Sequence, residues 1–286
     1  MKEIIKLSIL EEYIPLIFPE MKEDSGRFAR QISLERGDPI LDKIARMDRQ
    51  IHNRTGARVF YGFDIIREYS SDELGNASYF YLKIKPSSYF DPVGEECGTH
   101  YEDLLACNEC GAGGQQVGPL YLKTKFIPKR TDIAATIAGE IVVSGRLADL
   151  MQKHAISGVV LAPVFEIGRG GVTETGWYQW LPSSPFFDIV APTMIRESLF
   201  DEEVTSCPCG DTLGSNLLSE IFLIRPLQGG ADVMWSRQYI GRRIGFLRPR
   251  QVAVVGKKLI NLMSTFEVKG FDVEVAHAKS SDGLWS

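Results

Sequence analysis

Ile141-Val-Val-Ser-Gly-Arg-Leu-Ala-Asp-Leu-Met151 aligns without a gap on Ala253-Val-Val-Gly-Lys-Lys-Leu-Ile-Asn-Leu-Met263. In the same register Ile156-Ser157-Gly158 meets Val268-Lys269-Gly270. Each block opens on β-branched residues, which suit a pleated strand. It then places Leu147, Leu150 and Met151, or Leu259, Leu262 and Met263, at i, i+3 and i+4, the buried stripe of an amphipathic helix. Ser144 is positioned to cap the first helix. Gly158 and Gly270 turn the chain into a further strand, Val159–Phe165 or Phe271–Val275. The spacing therefore predicts strand–helix–strand twice, and the recurrence predicts two pseudo-symmetric halves packed together.

Upstream of each block lies a close cysteine pair, Cys107-Asn-Glu-Cys110-Gly111 and Cys207-Pro-Cys209-Gly210. Each pair is followed by an apolar stretch (Leu120–Ile127; Ile221–Ile224) and then by an Asp-aliphatic step, Asp132-Ile133 or Asp232-Val233. The second copy carries an insertion, Trp235 to Pro249. The expected fold is α+β: two pseudo-repeated strand–helix–strand units joined by a split zinc knuckle, with an N-terminal α/β extension. The expected divisions are residues 1–95 for the extension, 96–180 for the first repeat and 181–286 for the second. Within the extension, residues 1–55 read as helix-rich and irregular. Val59–Ile66 and Tyr79–Ile84 read as strands, and Ser70 to Glu73 has capping-box spacing for a short helix. Pro182 to Pro185 reads as a rigid loop, and the tail after Ala278 as frayed.

A C-x2-C-G turn aims two thiolates at one ion, and glycine tolerates the backbone conformation this needs. Cys207-x-Cys209-Gly is a shortened version. Two such turns supply four thiolates, a closed tetrahedral set that suits structural zinc because no position is left for water. The expected ligands are Cys107, Cys110, Cys207 and Cys209. A local alternative draws on Cys97 and His100 beside Cys107 and Cys110, and a third has no metal and only buried or reactive thiols.

Five cysteines, grouped, in a chain whose opening segment is interrupted by Glu3, Lys6, Glu11 and Glu12, favour metal or redox chemistry over a disulfide framework. The longest apolar run, Ile156–Phe165, is too short to span a bilayer. The expectation is a cytoplasmic protein with no membrane partner. The net charge of −5 is mild and gives no global nucleic-acid footprint. One stretch is locally basic: Arg237, Arg242, Arg243, Arg248, Arg250, Lys257 and Lys258 alternate with Trp235, Tyr239 and Phe246, and no acidic residue lies between Asp232 and Glu267. A solvated hairpin or protein-contact surface is the better reading there than nucleic-acid binding. No Walker A, G-x-G-x-x-G, G-x-S-x-G or H-E-x-x-H pattern occurs, and no motif pairs carboxylates such as Glu95-Glu96 and Glu202-Glu203 with a base or nucleophile. The chain is not expected to be an enzyme.

The two C-x(1–2)-C-G turns, each followed by the Asp-aliphatic step and the strand–helix–Gly–strand block, resemble the double-CXXCG motif family. That family occurs in myxobacteria and other bacteria, with many paralogues associated with immunity to contact-delivered toxins. The resemblance covers roughly Cys97 to His277, and one spacer residue is missing at Cys207-Pro208-Cys209. It implies an immunity protein whose partner is a cognate toxin. The candidate contact residues are Trp177, Trp180 and Trp235, with Tyr79 and Phe80 equally suited to the core.

Overall fold

Lys2–Leu10 buries Ile5, Leu7 and Ile9 on one face, the two-residue period of a half-buried strand. In the computed structural model, which describes residues 1–183, 185–201, 207–224 and 231–279, this segment is strand β1. It lies at the centre of an antiparallel sheet between β2 (Ala29–Glu35) and β3 (Phe60–Glu68). A short helix α1 (Ile14–Ile17) precedes β2, and α2 (Pro39–Thr55) follows it. The α2 helix starts where the Asp38 carboxylate accepts the Ile40 N–H, and ends at Gly56 with φ 74°. On its buried face Asp48 is fully covered, and its carboxylate accepts from the Arg58 guanidinium and the Val59 N–H. The capping box at Ser70 and Glu73 forms, and opens α3 (Ser71–Asn76).

These elements make a compact unit of Met1–Asn76 with Ser198–Glu202. The expectation of a helix-rich, irregular opening is corrected: residues 1–55 hold two strands and one long helix. Ile4 and Leu10, apolar on the other face, hide the alternation of β1.

The second unit, Ala77–Glu197 with Glu203–Ser286, contains the strand expected at Tyr79–Ile84, so the division anticipated at residue 95 falls inside it. In chain order it runs β4 (Tyr79–Ile84), β5 (Tyr89–Phe90), α4 (Gly94–Cys97), β6 (His100–Glu102), β7 (Gln115–Val117) and β8 (Leu120–Tyr121). Next come β9 (Ile133–Thr136), β10 (Ile141–Ser144), α5 (Gly145–Lys153), β11 (Val160–Gly168) and β12 (Gly171–Leu181). The remainder is β13 (Phe186–Ile189), β14 (Ile195–Arg196), β15 (Asn216–Leu217), β16 (Ile221–Ile224), β17 (Val233–Ser236), β18 (Ala253–Gly256), α6 (Lys257–Thr265) and β19 (Phe271–Lys279). The chain is thus mixed α+β, mostly strand with few helices. Ser184 in the loop expected to be rigid, the Glu202-Glu203 pair and the tail from 280 to 286 lie outside the described residues.

One sheet has the order β5-β9-β10-β12-β11-β8, and a closed six-stranded barrel has the order β13-β17-β18-β4-β19-β16. The two orders share a pairing pattern. The outer pairs are parallel (β5/β9 and β11/β8; β13/β17 and β16/β19) and the inner pairs antiparallel. Antiparallel contact between β13 and β16 closes the barrel, which removes its edges. The early strand β4 sits among the late strands of the barrel. In the open sheet the corresponding place is taken by β12. Phe90, Leu120, Val142 and Val164 form the core beneath the open sheet, and Phe187, Ile221, Leu223, Met234 and Val254 fill the barrel.

The two strand–helix blocks grip each other reciprocally. The Asp132 and Ile133 N–H groups both donate to the Lys269 carbonyl, while the Asp132 carboxylate accepts from the Lys269 N–H, the Ser144 hydroxyl and Arg146. Across the joint, the Val233 N–H donates to the Ser157 carbonyl, and the Asp232 carboxylate accepts from the Ser157 N–H and hydroxyl and from Lys258. Arg146 reaches the Phe266 carbonyl, and Lys258 the Ala155 carbonyl. The His154 and Phe266 rings meet with centroids 5.7 Å apart. Gly158 (φ 74°) lies against the Val233 carbonyl and Gly270 (φ 109°) against the Ile133 carbonyl, each so close that a Cβ would fall on the oxygen. Ser144 caps α5 through the Leu147 N–H, as its position implies. No helix among the described residues is long and apolar enough to cross a membrane.

Two outcomes follow from this joint. Gly270→Ala should destabilise the protein by about 2 kcal/mol or more in denaturant melts, and Gly170→Ala, which faces open space, by well under that. Burial opposes ionisation of Asp132, but Arg146, the Lys269 N–H and Ser144 outweigh it and hold the carboxyl below its usual range. A depressed carboxyl stabilises the fold above its unfolded value near pH 4 and loses that contribution as pH falls through the folded value. Asp132→Asn should therefore cost stability at neutral pH, by about 1 kcal/mol, and the gap from wild type should close in acid melts below about pH 4.

Candidate metal centre

The sulfur atoms of Cys107, Cys110, Cys207 and Cys209 all lie within 4.8 Å of one another. Across the loops, Cys107 approaches Cys207 at 3.6 Å and Cys110 approaches Cys209 at 3.7 Å, sulfur to sulfur. A disulfide would bring two sulfurs to about 2.05 Å, so these are free thiols. Four sulfurs around a tetrahedral ion at about 2.3 Å each stand about 3.8 Å apart, which matches these separations. The four cysteines could therefore hold a metal ion.

Each loop is built for this by its backbone. The Cys107 N–H donates to the Ala112 carbonyl at 2.8 Å, and the Cys207 N–H to the Thr212 carbonyl at 3.1 Å. Both closures span five residues, so the spacer missing between Cys207 and Cys209 is restored before Thr212, and the loop mouths match. Inside, the Gly111 N–H donates to the Cys107 carbonyl and the Gly210 N–H to the Cys207 carbonyl. Gly111 and Gly210 adopt φ 78° and 80°, left-handed values that a side chain resists. Cys110 is buried and its sulfur accepts from the Ala112 N–H and the Thr212 hydroxyl, one donor from each loop. Cys209 is exposed, which puts one edge of the cluster at the surface.

The electrostatics favour a cation. Backbone N–H groups of Cys110 and Glu109 pull the Cys107 thiol down to about 7. The Cys209 N–H favours the Cys207 thiolate, yet burial and the neighbouring thiols push this group up to about 12. One sulfur ionises readily and the next resists, because like charges a few ångströms apart repel; a bound cation removes that conflict.

The insertion folds back over the cluster. Tyr239 packs against it, the Tyr239 N–H donates to the Asp211 carbonyl, and the Arg243 N–H donates to the Cys110 carbonyl. Asp103, ahead of the first loop, accepts from both Arg243 and Arg248. Sequence reading did not single out Asp103, Thr212 or the Ala112 N–H. Their partners are long-range, and nothing in local spacing marks them.

Other expectations are corrected. Cys97 ends α4 and His100 opens β6, and neither belongs to the thiol cluster. Burial raises the Cys97 thiol. Trp180 and Trp235, candidates for partner contact, are each 2% exposed and pack edge to face with centroids 6.2 Å apart. Their large apolar area was drawn into the interior, as the hydrophobic effect favours for any indole with room there. Trp177 is half-buried against the core of the open sheet, and Phe80 is fully inside. In the basic stretch, Arg237 pairs with Asp188, Arg242 with Glu197, Arg243 with Asp103, Arg248 with Asp103 and Glu95, and Lys258 with Asp232.

No family model matches the chain, and no curated protein matches it.

Protein purified without chelator should carry about one divalent ion per chain by elemental analysis. Cys110→Ser and Cys209→Ser should each lose most of it and melt at lower temperature, while Cys97→Ser should keep it.

Proposed function

We propose that the ion is zinc and that the protein is an immunity protein, one that binds and neutralises a cognate bacterial toxin. The carrying observation is the closed set of four sulfurs. With every tetrahedral position filled by protein, the ion braces the fold and does not activate water, which suits a binder better than a hydrolase. On this reading the two halves are pseudo-repeats joined by a split knuckle, which the reciprocal Asp132 and Asp232 contacts and the parallel sheet orders support. The resemblance of the paired C-x(1–2)-C-G turns to the double-CXXCG motif family is the ground for toxin immunity.

The contact surface moves from the tryptophans to the loops beside the metal centre. Leu104 and Leu105 are 85% and 80% exposed, and Ile244 is 68% exposed. Asp103 and Arg243, their immediate neighbours, hold the two loops together. Exposed leucine and isoleucine on braced loops suit the apolar centre of an interface. The ion pairs along the insertion reduce the positive charge free to meet phosphates, so nucleic-acid binding is the weaker alternative.

Co-expression with the toxin encoded beside it tests the reading. Wild type should restore growth, and Leu105→Glu should lose protection while keeping its metal. Wild type that binds zinc yet gives no protection would remove the immunity assignment.

A further inference from the structure

The first cysteine loop also forms one wall of a cleft of about 240 Å³, whose other walls come from β12, β17 and the insertion. Trp180, Trp235, Arg248 and Arg250 line it together with Gln179 and Glu140. Its chemistry is one-sided. The indole N–H groups of Trp180 and Trp235 are buried without a hydrogen-bond partner, and so are the Nε and Nη2 of Arg248. A buried donor left unpaired costs about 1–3 kcal/mol, so several around one cleft call for an acceptor.

No acceptor among the described residues of this cleft is left in the same condition. The Gln179 amide is matched in both directions with Gln116. The Glu140 carboxyl accepts from the Tyr101 hydroxyl, the Gly94 N–H and the Thr136 hydroxyl. Arg248 is held by Asp103 and Glu95 and stacked over the Tyr101 ring at 4.0 Å, which fixes its Nε in place. Arg250, exposed at the rim, donates to the Tyr89 phenol and has no ion-pair partner among the described residues.

We propose that this cleft binds the carboxylate of a small organic acid. Two carboxylate oxygens answer the two indole N–H groups and the Arg248 Nε, and Arg250 supplies the balancing charge. The volume admits only a small molecule. A doubly charged phosphate fits less well, because the Glu140 carboxyl stands in the wall and would repel it. The cleft adjoins the first cysteine loop through Gly111 and Gly113.

The test uses the wild-type, metal-loaded protein labelled with nitrogen-15, whose four tryptophans give separate indole N–H signals. Sodium glutarate or acetate at millimolar concentration should shift two of the four signals saturably, with sodium chloride at equal ionic strength leaving them in place. Inorganic phosphate should bind at least tenfold more weakly than glutarate. Trp180→Phe and Trp235→Phe should each delete one responding signal and weaken glutarate binding about tenfold, the worth of one hydrogen bond to a charged group. Indole signals that ignore both acids would overturn the proposal and assign the donors to water. Binding of a capped glutamyl peptide with no binding of either free acid would overturn it too, since the occupant would then be a side chain of another protein.

Discussion

Four thiols within 4.8 Å of one another resist full ionisation unless a cation lies between them, and the two loops and the insertion around them are built to that constraint. The two loops that carry them present equal mouths despite unequal cysteine spacing. A five-residue backbone closure sets each mouth, and the number of residues between the cysteines does not. Cys110, the buried sulfur, is held by a donor from each loop, so the cluster has a backing that precedes any ion. A closed sulfur set contributes to folding and leaves no coordination site for chemistry, and the proposed role as a binder rests on this.

The cysteine cluster is not the sole tie between the two halves that carry the strand–helix blocks. Asp132 and Asp232 each accept backbone and side-chain donors from the opposite block, and a glycine on each side lets the chains approach to backbone contact. The early strand β4 completes the barrel while β12 completes the open sheet. The Asp132–Lys269 and Ser157–Asp232 contacts join the open sheet to the barrel. This gives the proposed interface, at Leu104, Leu105 and Ile244, a stiff base, and stiffness lowers the entropy lost when a partner docks.

The insertion explains why a basic sequence need not make a basic surface. Its arginines meet carboxylates from distant segments, Asp188, Glu197, Asp103 and Glu95 among them. The cleft beneath it shows the opposite case. There two tryptophans that a surface reading would spend on a partner are buried, and their unpaired N–H groups define a site that no motif announces.

The sequence by itself determined the local elements whose period and punctuation are strong. These are α5 and α6 with their buried stripes, the Ser144 cap, the turns at Gly158 and Gly270, the Ser70–Glu73 box, and the pairing of two cysteine turns. Only the tertiary structure decided that the four sulfurs converge without Cys97 or His100, that β4 joins the late strands of the barrel, and that Trp180 and Trp235 lie inside. The physical reason is range. Helix stripes, caps and glycine turns are satisfied within a few residues and leave a mark in spacing. Strand partners, ion-pair partners and burial are set by contacts a hundred residues away, where many sequences serve equally well.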